Sequence, residues 1–72
     1  MRIEVHFRKQ SYGFTAEQIK YIDGNTGNPY NWTTEDFAHR LSEAKSITIK
    51  SQFEGEFLVL NLRKAQAIKV IN

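Results

Sequence analysis

Two histidines, His6 and His39, are the only imidazoles in this 72-residue chain, which contains no cysteine. Zinc sites need Cys and His at short, recurrent spacings, so no metal site is expected. His6 falls in an alternating segment and His39 in a helical one, each on the polar side, where a solvated or hydrogen-bonded histidine is the ordinary outcome. A nucleophile needs a hydroxyl or thiol beside an oriented base. Ser11, Ser42, Ser46 and Ser51 all fall in turn or surface settings without the sequence context of a nucleophile elbow. Carboxylates pair twice, as Glu35-Asp36 and as Glu54 with Glu56. A helix start accounts for the first pair, and the second flanks Gly55. No catalytic residue is assigned, and the chain is expected not to be an enzyme. So small a domain also leaves little depth for a water-excluding cleft.

Ligand-holding loops fare no better. The stretch Asp23 to Asn28 offers one carboxylate, where a calcium loop uses several and closes with a bidentate Glu. Gly24 and Gly27 lack the spacing of a phosphate cradle, and no Lys-Ser/Thr pair follows them. Asn31-Trp32-Thr33 matches a glycosylation acceptor, a pattern without meaning unless the protein is secreted. No cofactor is expected.

Two sets of side chains could make a binding surface. Tyr30 and Trp32, with Tyr12 as a further candidate, are aromatics of the kind that anchor protein interfaces. The competing role for Trp32 is structural, as a staple on the following helix. The second set is basic: Arg2, Arg8, Lys9, Lys50 and Lys69. On neighbouring strands these could form a stripe that contacts phosphates. The alternative is a solvated sheet face with Glu4 interspersed.

The elements that must position these residues follow from composition and period. Seventy-two residues allow one domain, spanning residues 1–72. Such a chain buries only about 60% of its unfolded surface, and without disulfides it must rely on its apolar core, on association, or on both. The apolar fraction, 40%, is enough for a core. Ten basic against eight acidic residues leave a net charge of +2, a weak pointer to nucleic acid. Nothing in the sequence reads as a signal peptide or a membrane span, so a cytoplasmic protein is expected.

Met1, Ile3, Val5 and Phe7 alternate with Arg2, Glu4, His6 and Arg8, the period of a half-buried strand. Gln10 to Gly13 reads as a turn. Phe14 to Asp23 is open between strand and helix. Thr15 and Gln18 stand at capping-box spacing, while Ile19-Lys20-Tyr21-Ile22 before Asp23-Gly24 suits a strand, which is preferred. Thr33 is a fitting N-cap for a helix from about 34 to 44, with Trp32 and Phe37 at staple spacing and Phe37, Ala38, Leu41 and Ala44 as its apolar stripe. Ser46 to Lys50 and Ala67 to Ile71 alternate as strands. Between them Phe57 to Leu62 is apolar on both faces and is read as the central strand. The last three strands would form a meander.

The expected fold is α+β: a small antiparallel sheet of four to five strands in the order β-β-α-β-β-β, the second strand being the open one. One helix packs on it, and the sheet is either flat in two layers or curled like a barrel. One short helix cannot cover both sheet faces. Phe57, Val59 and Ile71 are therefore the expected contacts of a homodimer. In size, lack of cysteine and mixed charge the chain resembles small proteins of bacterial phages and mobile elements, a likeness of style that no motif carries. The function expected is a small regulator, inhibitor or accessory protein acting through protein–protein contacts. The alternative is nucleic-acid binding through the basic set.

Overall fold

The computed structural model describes residues 1–25, 31–51 and 55–72. Its strands are β1 (Arg2–His6), β2 (Ser11–Thr15), β3 (Ile19–Ile22), β4 (Ser46–Lys50), β5 (Phe57–Asn61) and β6 (Ala67–Ile71), with helix α1 (Thr34–Glu43) between β3 and β4. They form two three-stranded antiparallel sheets, β2-β1-β6 and β3-β4-β5. The expected class, α+β with antiparallel strands and one helix, holds. The single sheet of four to five strands does not, and the two sheets are not closed into a barrel.

The second sheet arises because the chain turns sharply twice. After β2, Ala16–Gln18 makes a 3₁₀ turn in which Gln18 Oε1 accepts from Thr15 N at 3.0 Å, while Ala16 is buried. Capping spacing and strand period were both present in residues 14–23, and both are used: β2 ends, one turn is capped, and β3 begins. After β5 a second 3₁₀ turn, Leu62–Lys64, carries the chain back to the first sheet. Asn61 Oδ1 accepts from Arg63 N at 3.1 Å and buried Leu62 pins this turn to the core. β6 therefore pairs with β1 and not with β5, so the meander stops at β5.

The central strands are β1 and β4. Ile3 and Val5 from β1, Phe14 from β2, Ile47 and Ile49 from β4 and Leu60 from β5 meet Phe37 and Leu41 of α1 in one buried cluster. The expectation that Phe57 to Leu62 runs through the middle of a sheet is thus corrected: β5 is an edge strand. Leu60 is 4% exposed, whereas Phe57 is 54% and Val59 65% exposed on the outer face. An apolar run shows how many faces could be buried, and here only one is covered.

Helix α1 begins as its residues dictate. Thr33 Oγ1 accepts from Asp36 N, and Asp36 Oδ2 accepts from Thr33 N, both at 3.1 Å. Hydrogen bonding to the carboxylate from the Thr33 backbone N–H, and next from the Thr33 side chain, holds the Asp36 carboxyl below its ordinary range. Trp32 stands edge-on to Phe37, ring centroids 5.0 Å apart, as the staple spacing implied. Ala38, expected in the buried stripe, is exposed. It lines a groove of about 960 Å³ between α1 and β6.

Gly13 also departs from expectation, since it lies inside β2 opposite Glu4. The turn falls earlier, where Phe7 N donates to Gln10 O at 2.8 Å. A Cβ on Gly13 would meet only the end of the flexible Arg2 side chain, which can swing aside. Among the described residues no helix is long and apolar enough to cross a membrane.

Candidate functional site

The open flank of β5 is set by backbone alternation. Ser51 N donates to Glu56 O at 3.0 Å, and Leu62 N donates to Lys45 O at 2.9 Å. Both contacts fall on the register that pairs Leu60 with Ile47 and Leu58 with Ile49. In an antiparallel ladder hydrogen-bonded and non-bonded pairs alternate, so Leu58 and Leu60 spend their N–H and C=O on β4. Those of Phe57 and Val59, with the N–H of Asn61, point away, to an edge that pairs with no described strand, while the Asn61 carbonyl closes the following 3₁₀ turn. The same residues carry the exposed apolar side chains, so one strip offers both greasy surface and unpaired backbone.

Tyr12 stands beside this strip. Its ring is edge-on to Phe7, centroids 5.9 Å apart. It lines a cleft of about 320 Å³ with Phe7 and Val59, and another of about 360 Å³ with Phe57 and Leu58. The clefts separate β5 from the β1–β2 hairpin; β2 pairs with β1 alone and β5 with β4 alone. Tyr12, Phe57 and Val59 are therefore brought together.

A polar relay occupies the outer face of the other sheet. Ser11 Oγ lies 2.8 Å from His6 Nδ1, His6 Nε2 lies 3.2 Å from Glu4 Oε1, and Arg2 Nε lies 3.5 Å from Glu4 Oε2. Arg2, Glu4 and His6 share a face because they alternate along β1, and Ser11 stands directly opposite His6. The hydrogen bond to His6, and after it one to Arg2, holds the Glu4 carboxyl below its usual range against an opposing effect of desolvation. An ionised Glu4 only accepts, so His6 Nε2 donates to it, and Nδ1 is an acceptor for Ser11 Oγ in the tautomer that leaves it bare. That is the order of a base-activated hydroxyl.

What the relay lacks is a place to stabilise developing negative charge. The bonds Phe7 N to Gln10 O and Ala16 N to Met1 O fix the β1–β2 ladder. By alternation the N–H groups of Ser11 and Gly13 then lie in the sheet plane, along the free edge of β2. They do not converge above Ser11 Oγ, and the hollow around it holds only about 190 Å³. Its evident effect is to tie the hairpin's outer face together. The cue in the sequence was the i, i+2, i+4 spacing of Arg2, Glu4 and His6; what it lacked was the hairpin register that adds Ser11.

The other candidates are dispersed. Trp32 is half-buried on α1, with the Arg40 guanidinium 5.2 Å above its ring, so it is committed to the fold. Tyr30 lies outside the described residues. Ile71, 43% exposed, pairs with Arg2 and lies apart from Phe57 and Val59, because β6 belongs to the β1 sheet and β5 to the other. Arg2 and Lys69 flank Glu4 on the outer face of β1 and β6. Arg8 and Lys9 sit in the hairpin turn, and Lys50 ends β4 in the second sheet. No continuous basic stripe forms. Asp23, at φ 53°, serves the backbone: its Oδ1 accepts from Lys45 N at 2.7 Å and Ser46 N at 3.0 Å. Among the described residues no group of three or more His, Cys, Asp or Glu could hold a metal ion.

No protein-family model matches the chain, and neither a curated protein nor a solved structure does.

Proposed function

We propose that the protein is a small non-enzymatic binding module, a regulator, inhibitor or accessory protein that works through protein–protein contacts and associates with a second copy of itself. The observation that carries this reading is the exposure of Phe57 and Val59, at 54% and 65%, on an edge strand beside Tyr12. Exposed apolar side chains and an unpaired edge in one place are a standing invitation to association. Tyr12, which lines the clefts beside Phe57 and Val59, is the further contact residue of this reading. Trp32 is assigned to the helix staple, and its part in binding is indirect.

The sedimentation mass of the wild type and of Val59→Lys tests the reading. The wild type is expected to dimerise and the folded variant to remain monomeric; a wild type that stays monomeric at millimolar concentration rejects self-association. Nucleic-acid binding is the weaker alternative, since Arg2 is paired with Glu4 and the remaining cations are scattered over both sheets.

A further inference from the structure

We propose that two copies pair antiparallel through β5, the partner's Val59 facing Val59 across a two-fold axis. The result is a continuous six-stranded sheet. This rests on the self-association reading above and adds to it the geometry of the interface.

Four strands end a sheet, and three of them are guarded. β3 carries Lys20 and a register shift between Ile19 and Tyr21. β6 carries Lys69 and is packed against α1. On β2, Phe14 is buried and the free amide of Thr15 is already bonded to Gln18. Charge, irregularity and cover are the usual defences of an edge. β5, Phe57-Leu58-Val59-Leu60-Asn61, has no charge, no proline and an unbroken register with β4.

The register follows from which groups are free. Phe57 and Val59 direct N–H and C=O outward and Asn61 its N–H, as the bonds to Ser51 and Lys45 require. With Val59 on the axis, Phe57 meets the partner's Asn61, Val59 meets the partner's Val59, and Asn61 meets the partner's Phe57. Both groups of Val59, the Asn61 N–H and the Phe57 carbonyl are then bonded, and the Phe57 N–H shares the partner's Asn61 carbonyl with the 3₁₀ turn. A slip of two residues leaves an unmatched residue at each end.

Charge selects the orientation. Glu56 precedes β5 and Arg63 and Lys64 follow it. Antiparallel pairing sets Glu56 near the partner's Arg63 and the partner's Lys64 at both ends of the joint. Parallel pairing would set like charges together, which disfavours it. A second copy thus supplies the complementary strand that a foreign partner would have to match by chance.

The chain has no cysteine, so Val59→Cys introduces a single thiol at an exposed position. Hydrogen-bonded antiparallel pairs hold their Cα atoms about 5.5 Å apart, within disulfide range. Mild oxidation is expected to yield a disulfide-linked dimer of Val59→Cys, while Lys69→Cys, on the other sheet, stays monomeric. Val59→Pro removes only an outward N–H and leaves the β4 ladder intact, so it is expected to weaken dimerisation on the order of tenfold without unfolding the chain. A sedimenting dimer whose Val59→Cys form does not cross-link overturns the β5 joint and leaves self-association standing. Equal cross-linking of both cysteine variants likewise overturns it, as random collision, and a monomeric wild type removes both readings.

Discussion

Trp32 separates a structural role from a binding one, and the structure says how large the difference is. The indole is half-buried, meets Phe37 edge-on at 5.0 Å and lies 5.2 Å beneath the Arg40 guanidinium. The edge contact is worth about 1 kcal/mol beyond burial, and an exposed cation over an indole about 0.5–1 kcal/mol. Removing roughly 100 Å² of buried apolar ring adds about 2.5 kcal/mol. Trp32→Ala should therefore cost roughly 4–4.5 kcal/mol, against a total of about 4–11 kcal/mol for a domain of this length. Urea titrations followed by circular dichroism measure this, since the chain has a single tryptophan and its fluorescence is lost in the variant. A cycle with Arg40→Ala should return a coupling of about 0.5–1 kcal/mol. If Trp32→Ala costs less than about 1 kcal/mol, the staple is not holding the helix, and Trp32 is free to serve a partner. If the cost is as large as expected, any loss of partner capture by this variant must be read at equal folded concentration.

Three further outcomes are expected. The Asp36 carboxyl titrates below its ordinary range, so its stabilising effect is present above about pH 4 and fades as the pH falls through the lowered folded value. The difference in melting temperature between wild type and Asp36→Asn should be constant near neutrality and close in acid; a difference that persists unchanged at pH 2 contradicts the capping box. Oligonucleotides titrated at low salt should show no binding that declines steeply with salt, because Glu4 offsets Arg2 and the other cations are dispersed; such a decline would restore the basic set as a site. A fluorophosphonate probe should leave Ser11 unlabelled, since no donor pair converges above its hydroxyl, and stoichiometric labelling that disappears in His6→Ala would make the relay catalytic.

What could be read from the sequence was whatever depends on neighbours along the chain. The alternation of Met1 to Phe7 gave β1, and Thr33 with Trp32 and Phe37 gave the start of α1 together with its staple. What could not be read depends on where strands go after they end. The two 3₁₀ turns send β3 and β6 into different sheets, and neither carries a glycine or proline to announce a change of direction. The position of β5 was lost for the same reason: a run of apolar residues looks alike at a sheet's centre and at an uncovered edge. Its exposed face was still legible, because one short helix could never cover it. Of the three residues expected as dimer contacts, Phe57 and Val59 share the outer face of β5, whereas Ile71 lies on β6 in the other sheet. Tyr12 entered the patch through the hairpin register, which no local pattern displays.

Amide hydrogen exchange across a concentration series addresses the β5 edge most directly. Leu58 and Leu60 already bond to β4, whereas Phe57, Val59 and Asn61 face outward. Protection at Phe57, Val59 and Asn61 should rise with protein concentration, while Leu58 and Leu60 stay protected throughout. Outward amides that exchange at the same fast rate from micromolar to millimolar protein would contradict the account.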